Sequence, residues 1–108
     1  MKKTVYRKLV RDRIPEIIEQ GGKTCAWSVL DEEDYLAMLD EKLNEELAEY
    51  QESKSMEELA DLLEVVRAVT LARGSSPEEV EEIRRRKAEK RGGFAKRILL
   101  EDVTDPEG

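Results

Sequence analysis

Histidine is absent from this 108-residue chain, and cysteine occurs once. Without an imidazole there is no Ser-His-Asp or Cys-His nucleophile. One cysteine builds no disulfide framework, and structural zinc of the Cys/His type has no ligand set. Cys25 alone fits a reducing, cytoplasmic setting. No run of about 18 apolar residues occurs, so no membrane-spanning helix is expected. The segment MKKTVYRKLVRDR carries charge with no apolar stretch behind it, unlike a signal peptide. Aromatics make up 5% of the chain, so a core must come from Leu, Val and Ile. Bases are outnumbered, 19 Lys and Arg against 26 Asp and Glu, for a net charge of −7. Nonspecific nucleic-acid binding needs a basic face and is not expected. The chemistry left runs on carboxylates, Lys, Arg and an oxygen-loving metal.

What is present reads as helix. Residues 12–20 form a short helix ended by Gly21-Gly22, with Pro15 tolerated in its first turn. Asp31 is a good N-cap for a long helix over residues 32–53. Leu36, Leu39, Leu43, Leu47 and Tyr50 recur along one face of it. Ser53-Lys54-Ser55 breaks that helix, and Ser55 with Glu58 reads as a capping box for the next. Residues 56–73 then carry Leu59, Leu62, Leu63, Val66 and Val69 on one face, up to Gly74. Ser76-Pro77-Glu78-Glu79 opens a third long helix, which runs to about Lys90 and ends at Gly92-Gly93. Two segments, 24–30 and 96–103, have the apolar content of short strands and are expected to pair. The expected fold is one mainly α domain over residues 1–108, a small helical bundle around an antiparallel hairpin. A bundle so poor in aromatics is expected to work as a homodimer or homotetramer.

The acids are not scattered evenly. On a wheel of about 100° per residue centred on Leu43, Glu46 falls about 60° away and Glu49 about 120° away. They share the shoulder of the apolar face, whereas Glu45 falls on the opposite side. With Leu62 as centre, Glu58 falls about 40° away and Asp61 about 100° away, while Glu64 points outward. Each helix thus carries an i, i+3 carboxylate pair on its inward shoulder. Unpaired carboxylates in a core cost several kcal/mol each. A divalent cation relieves four of them at one seam, and all-oxygen ligands point to Mg²⁺ or Mn²⁺. Glu45 and Glu64 read as ordinary solvated surface.

The run KLNEELAEYQESKSMEELADLLEVV resembles the metal motif of the MazG-like nucleoside triphosphate pyrophosphohydrolases. That motif is E-E-x-x-E, a spacer, then E-x-x-D, matched by Glu45, Glu46 and Glu49, then Glu58 and Asp61. The flanks YRKLVRDRIPEIIE and RRRKAEKRGGFAKRILLE resemble the short stand-alone subgroup related to phosphoribosyl-ATP pyrophosphohydrolase. The eight residues between Glu49 and Glu58 make a shorter spacer than is usual, and the relative register of the two acidic pairs stays open. The resemblance implies an α-helical fold and Mg²⁺-dependent cleavage between the α and β phosphates of a nucleotide. It makes Glu46, Glu49, Glu58 and Asp61 the metal ligands. Glu45 and Glu46 are its catalytic carboxylates, Glu45 the one that holds or activates water.

The third long helix carries bases where its apolar line should continue. Lys87 and Arg91 lie within about 20° of Val80. They suit the phosphates of a nucleotide substrate, with Arg97 and Arg11 as further partners. Trp27 and Tyr50 are aromatics able to stack on a base. Two rival readings share the sequence. One is a metabolic enzyme of the same fold acting on phosphoribosyl-ATP. The other is a non-enzymatic helical interaction module whose acids are surface only.

Overall fold

The computed structural model describes residues 2–106. Four helices follow one another: α1 (Ile14–Gln20), α2 (Glu32–Ser53), α3 (Met56–Ala72) and α4 (Pro77–Arg91). The chain is mainly α, as expected, and among the described residues it has no strand. The strands expected at 24–30 and 96–103 are therefore corrected to irregular, exposed backbone. Apolar and β-branched content makes a segment compatible with a sheet. A strand also needs a neighbouring backbone to bond its N–H and C=O groups, and neither segment has one.

The long helices form where their caps dictate. Asp31 accepts a hydrogen bond from the Asp34 N–H at 2.8 Å and starts α2. Lys54 ends it in the left-handed region (φ 58°), its N–H donating to the Tyr50 carbonyl. Ser55 then accepts from the Glu58 N–H at 3.2 Å and starts α3. One left-handed residue and one cap thus reverse the chain, and α2 packs against α3. Arg73 donates to Asp40 at 3.0 Å across the same hairpin. At the end of α3 the Ser75 N–H reaches the Thr70 carbonyl and the Gly74 N–H the Leu71 carbonyl. This closing motif needs the positive φ of Gly74, 83°.

The chain divides into two compact units, one through Pro77 and one from Glu78 onward. In the first, Leu39 is 3% exposed and is the buried hydrophobic centre. Leu36, Leu43, Leu59, Leu62, Val66 and Val69 are half-buried around the seam. Leu63 differs from expectation: it is 67% exposed. It sits one residue round from Leu62, about 100° off the contact line, and α2 does not reach it. In the second unit α4 is laced by i, i+3 and i, i+4 ion pairs: Glu81 with Arg84, and Glu82 with Arg85 and Arg86. Such exposed pairs contribute a few tenths of a kcal/mol each.

Candidate metal centre

Three carboxylates converge on the inner side of the hairpin. One oxygen each of Glu46 on α2 and Glu58 and Asp61 on α3 lie within 4.8 Å of one another. The tight turn at Lys54 and Ser55 sets this register, despite the short spacer. Glu46 is 7% exposed, and Glu58 and Asp61 are half-buried. Glu49 is exposed, outside this group of three, yet its charge bears on both Glu46 and Glu58. Glu64 faces solvent, as the wheel placed it.

Glu58 is free for the group for a local reason. A full capping box would turn its carboxylate back to the N–H of Ser55. That N–H instead donates to the Ser53 hydroxyl at 3.2 Å. Only half of the expected box forms, and Glu58 Oε2 is left buried with no hydrogen-bond partner. Glu46 Oε2 is in the same state. Burial, and then the neighbouring Glu49, push the Glu46 carboxyl above the usual carboxylate range. Burial, and then the charges of Glu49 and Asp61, push Glu58 up as well. A desolvated carboxylate oxygen without a donor is costly. Oxygen-only donors, two of them orphaned, fit a hard cation such as Mg²⁺ or Mn²⁺.

Cations border the group. Lys42 Nζ lies 3.2 Å from Glu45 Oε1 and 3.6 Å from Glu46 Oε1. Lys8 Nζ lies 3.3 Å from the same Glu45 oxygen. Arg11 donates to Asp61 Oδ1 at 2.6 Å. Glu45 is thus half-buried and held by two lysines rather than turned to solvent, a correction to the wheel. Burial raises its carboxyl, but Lys42 and Lys8 outweigh that and leave it below the usual range. The Lys42 contacts follow from i, i+3 and i, i+4 spacing, so the sequence contained them. The Lys8 and Arg11 contacts join residues far apart in the chain, and no local signal announces them.

An open cleft of about 550 Å³, lined by Glu49, Glu52, Ser53 and Glu58, leads away from the acids toward the turn. A cavity of about 380 Å³ lies between the N-terminal segment and α2, with Lys42 on its wall. Tyr50 is half-buried beneath Lys54, whose Nζ lies 5.7 Å from its ring centroid, and Trp27 is exposed. Lys87 and Arg91 on α4 are exposed. Arg97 has a left-handed backbone (φ 58°) with its N–H on the Phe94 carbonyl. These three belong to the second unit.

No protein-family model matches this chain, and no solved structure matches it. An uncharacterized protein of Mycolicibacterium smegmatis is 52% identical over 42 residues, covering 39% of this chain. The matched part spans 43% of that relative's length, less than half of it.

Proposed function

We propose that this chain is a Mg²⁺-dependent nucleotide pyrophosphohydrolase of the MazG-like type. It would hydrolyse a nucleoside triphosphate between the α and β phosphates and release the monophosphate and pyrophosphate. The removal of non-canonical or excess nucleotides in the cytoplasm is the role we favour. The observation that carries this reading is the pair of buried, unpartnered oxygens, Glu46 Oε2 and Glu58 Oε2, in a carboxylate group with Asp61. Glu46, Glu58 and Asp61 would hold the cation, with Glu49 completing the set from the rim. A divalent cation there supplies positive charge to the polyphosphate and acidifies a bound water.

The chain's own residues supply the rest. Glu45 is ionised at neutral pH and fixed by two lysines. A carboxylate held below its usual range is a weak proton acceptor. Its part is therefore to orient water, with Lys42 and Lys8 fixing its carboxylate in place. Arg11 stands at the group already, on Asp61, and serves the substrate phosphates. A homodimer or homotetramer suits the apolar residues left uncovered on α3: Met56, Leu63 and Leu71.

The test is pyrophosphate release from a panel of nucleoside triphosphates with Mg²⁺ or Mn²⁺. Turnover of at least one substrate, abolished by EDTA, is expected. No release from any member of the panel would remove the enzyme reading and leave the interaction module.

A further inference from the structure

The walls of the cavity of about 380 Å³ carry cations from two segments of the chain. Tyr6, Arg7 and Lys8 of the N-terminal segment face Lys42, Asn44 and Glu45 of α2, over Leu9 and Met38. Met38, Glu41, Lys42 and Glu45 repeat at i, i+3, i+4 and i+7 on one face of α2, and Asn44, at i+6, borders that face from its flank. With Glu41 included, three cations stand against two carboxylates in a chain whose net charge is −7. The volume lies within the range of small-molecule sites. Lys42 connects the cavity to the carboxylate group directly, since its Nζ lies 3.6 Å from Glu46 Oε1. Arg7 lines the cavity with a left-handed backbone, φ 47°. Side-chain-bearing residues adopt that conformation at a cost, and such positions concentrate at ligand sites.

We infer that this cavity receives the nucleoside part of the substrate, with its phosphates directed past Lys42 to the carboxylate group. This rests on the nucleotide reading given above. Tyr6 is 71% exposed and offers a ring face to a base. The Asn44 amide offers both a donor and an acceptor, which is what reading a base edge requires. Lys8 and Lys42, gathered on Glu45, present their remaining N–H donors to phosphate oxygens that enter beside it. The site makes Tyr6 and Asn44 determinants of base selection.

Calorimetric titration of the full chain with α,β-methylene nucleoside triphosphates carrying different bases, in the presence of Mg²⁺, tests this. Inorganic triphosphate serves as the probe without a nucleoside. At least one analogue is expected to bind more tightly than triphosphate. Tyr6→Ala and Asn44→Ala are expected to weaken that analogue at least tenfold, leave triphosphate binding unchanged, and retain wild-type helicity and melting temperature. Tyr6→Phe keeps the ring and is expected to keep the affinity. Analogue affinities unchanged by Tyr6→Ala and Asn44→Ala overturn the inference, as does the absence of binding by every analogue. The two claims fail separately. Turnover indifferent to Tyr6 and Asn44 sinks the cavity alone, whereas Tyr6-dependent analogue binding without pyrophosphate release sinks the enzyme reading alone.

Discussion

Glu46 and Glu58 each bury one carboxylate oxygen that has no hydrogen-bond partner. Both carboxyls are raised, so the folded chain binds protons there more tightly than the unfolded chain. Above the ordinary carboxylate value of 4.5 the folded state holds the extra protons, and stability falls as pH rises through the raised values. Glu45 has the opposite sign: its contribution is present above the ordinary value and is lost as pH falls through its lowered one. The two windows lie on opposite sides of that value. Without metal, the melting temperature is expected to fall as pH rises above the ordinary carboxylate value of 4.5 and through the raised values of Glu46 and Glu58. Under the proposed function, Mg²⁺ binds only the folded chain and shrinks that drop. A melting temperature flat across this range without metal would contradict the burial of these acids. Activity separates the acids further. Glu58→Gln is expected to lower turnover about 100-fold or more, because one ligand charge of the cation is lost. Glu64→Gln, on the solvent face, is expected to leave it unchanged. Equal effects in steady-state assays would show that the inward and outward acids are not distinguished.

The hairpin is the element on which the candidate site depends, and it rests on a few local bonds. Ser55 starts α3, and the turn it shares with Lys54 sets how Glu46 meets Glu58 and Asp61. Ser55→Ala removes the side-chain acceptor for the Glu58 N–H and is expected to destabilise the chain by about 1 kcal/mol. Urea unfolding measures this, and Ser55→Asp, which restores an acceptor, is expected to recover most of the loss. The caps and the apolar period made α2, α3 and α4 readable to within a residue or two. The short segments were misread because apolar content is shared by strands and exposed loops, and only a paired backbone tells them apart. Glu58 shows a finer limit. Its spacing from Ser55 reads as a capping box, yet the competing Ser53 hydroxyl takes the bond that would have held it.

At the scale of the whole molecule the balance is between a thin core and uncovered apolar surface. Leu39 is the buried hydrophobic centre of the hairpin, while Met56, Leu63 and Leu71 of α3 stand exposed. Under the proposed function these residues meet a second copy of the chain. Sedimentation velocity is expected to show a dimer or larger, and Leu63→Glu to shift it toward monomer with a lower melting temperature. A wild-type chain that sediments as a monomer at all concentrations would contradict this. No described helix is long and apolar enough to cross a membrane. The net charge of −7 opposes an anionic ligand at long range, so a local source of positive charge has to act at the site. Lys8, Lys42 and Arg11 supply part of it within the first unit.

The sequence by itself determined the mainly helical class, since period and caps are local properties of consecutive residues. It determined which chemistries are closed, because a chain without histidine and with one cysteine cannot supply their groups. It also placed Glu46, Glu49, Glu58 and Asp61 on inward shoulders of their helices, because the helical period fixes angle around an axis, but Glu49 is exposed in the structure. Only the tertiary structure decided that Glu46, Glu58 and Asp61 meet within 4.8 Å, as that depends on the register of two helices across one turn. Only it turned Glu45 inward, by bringing Lys8 from a distant segment to join Lys42. The cavity with Tyr6 and Asn44 belongs to the same category: its walls come from residues 6–9 and 38–45, and no local pattern links these segments.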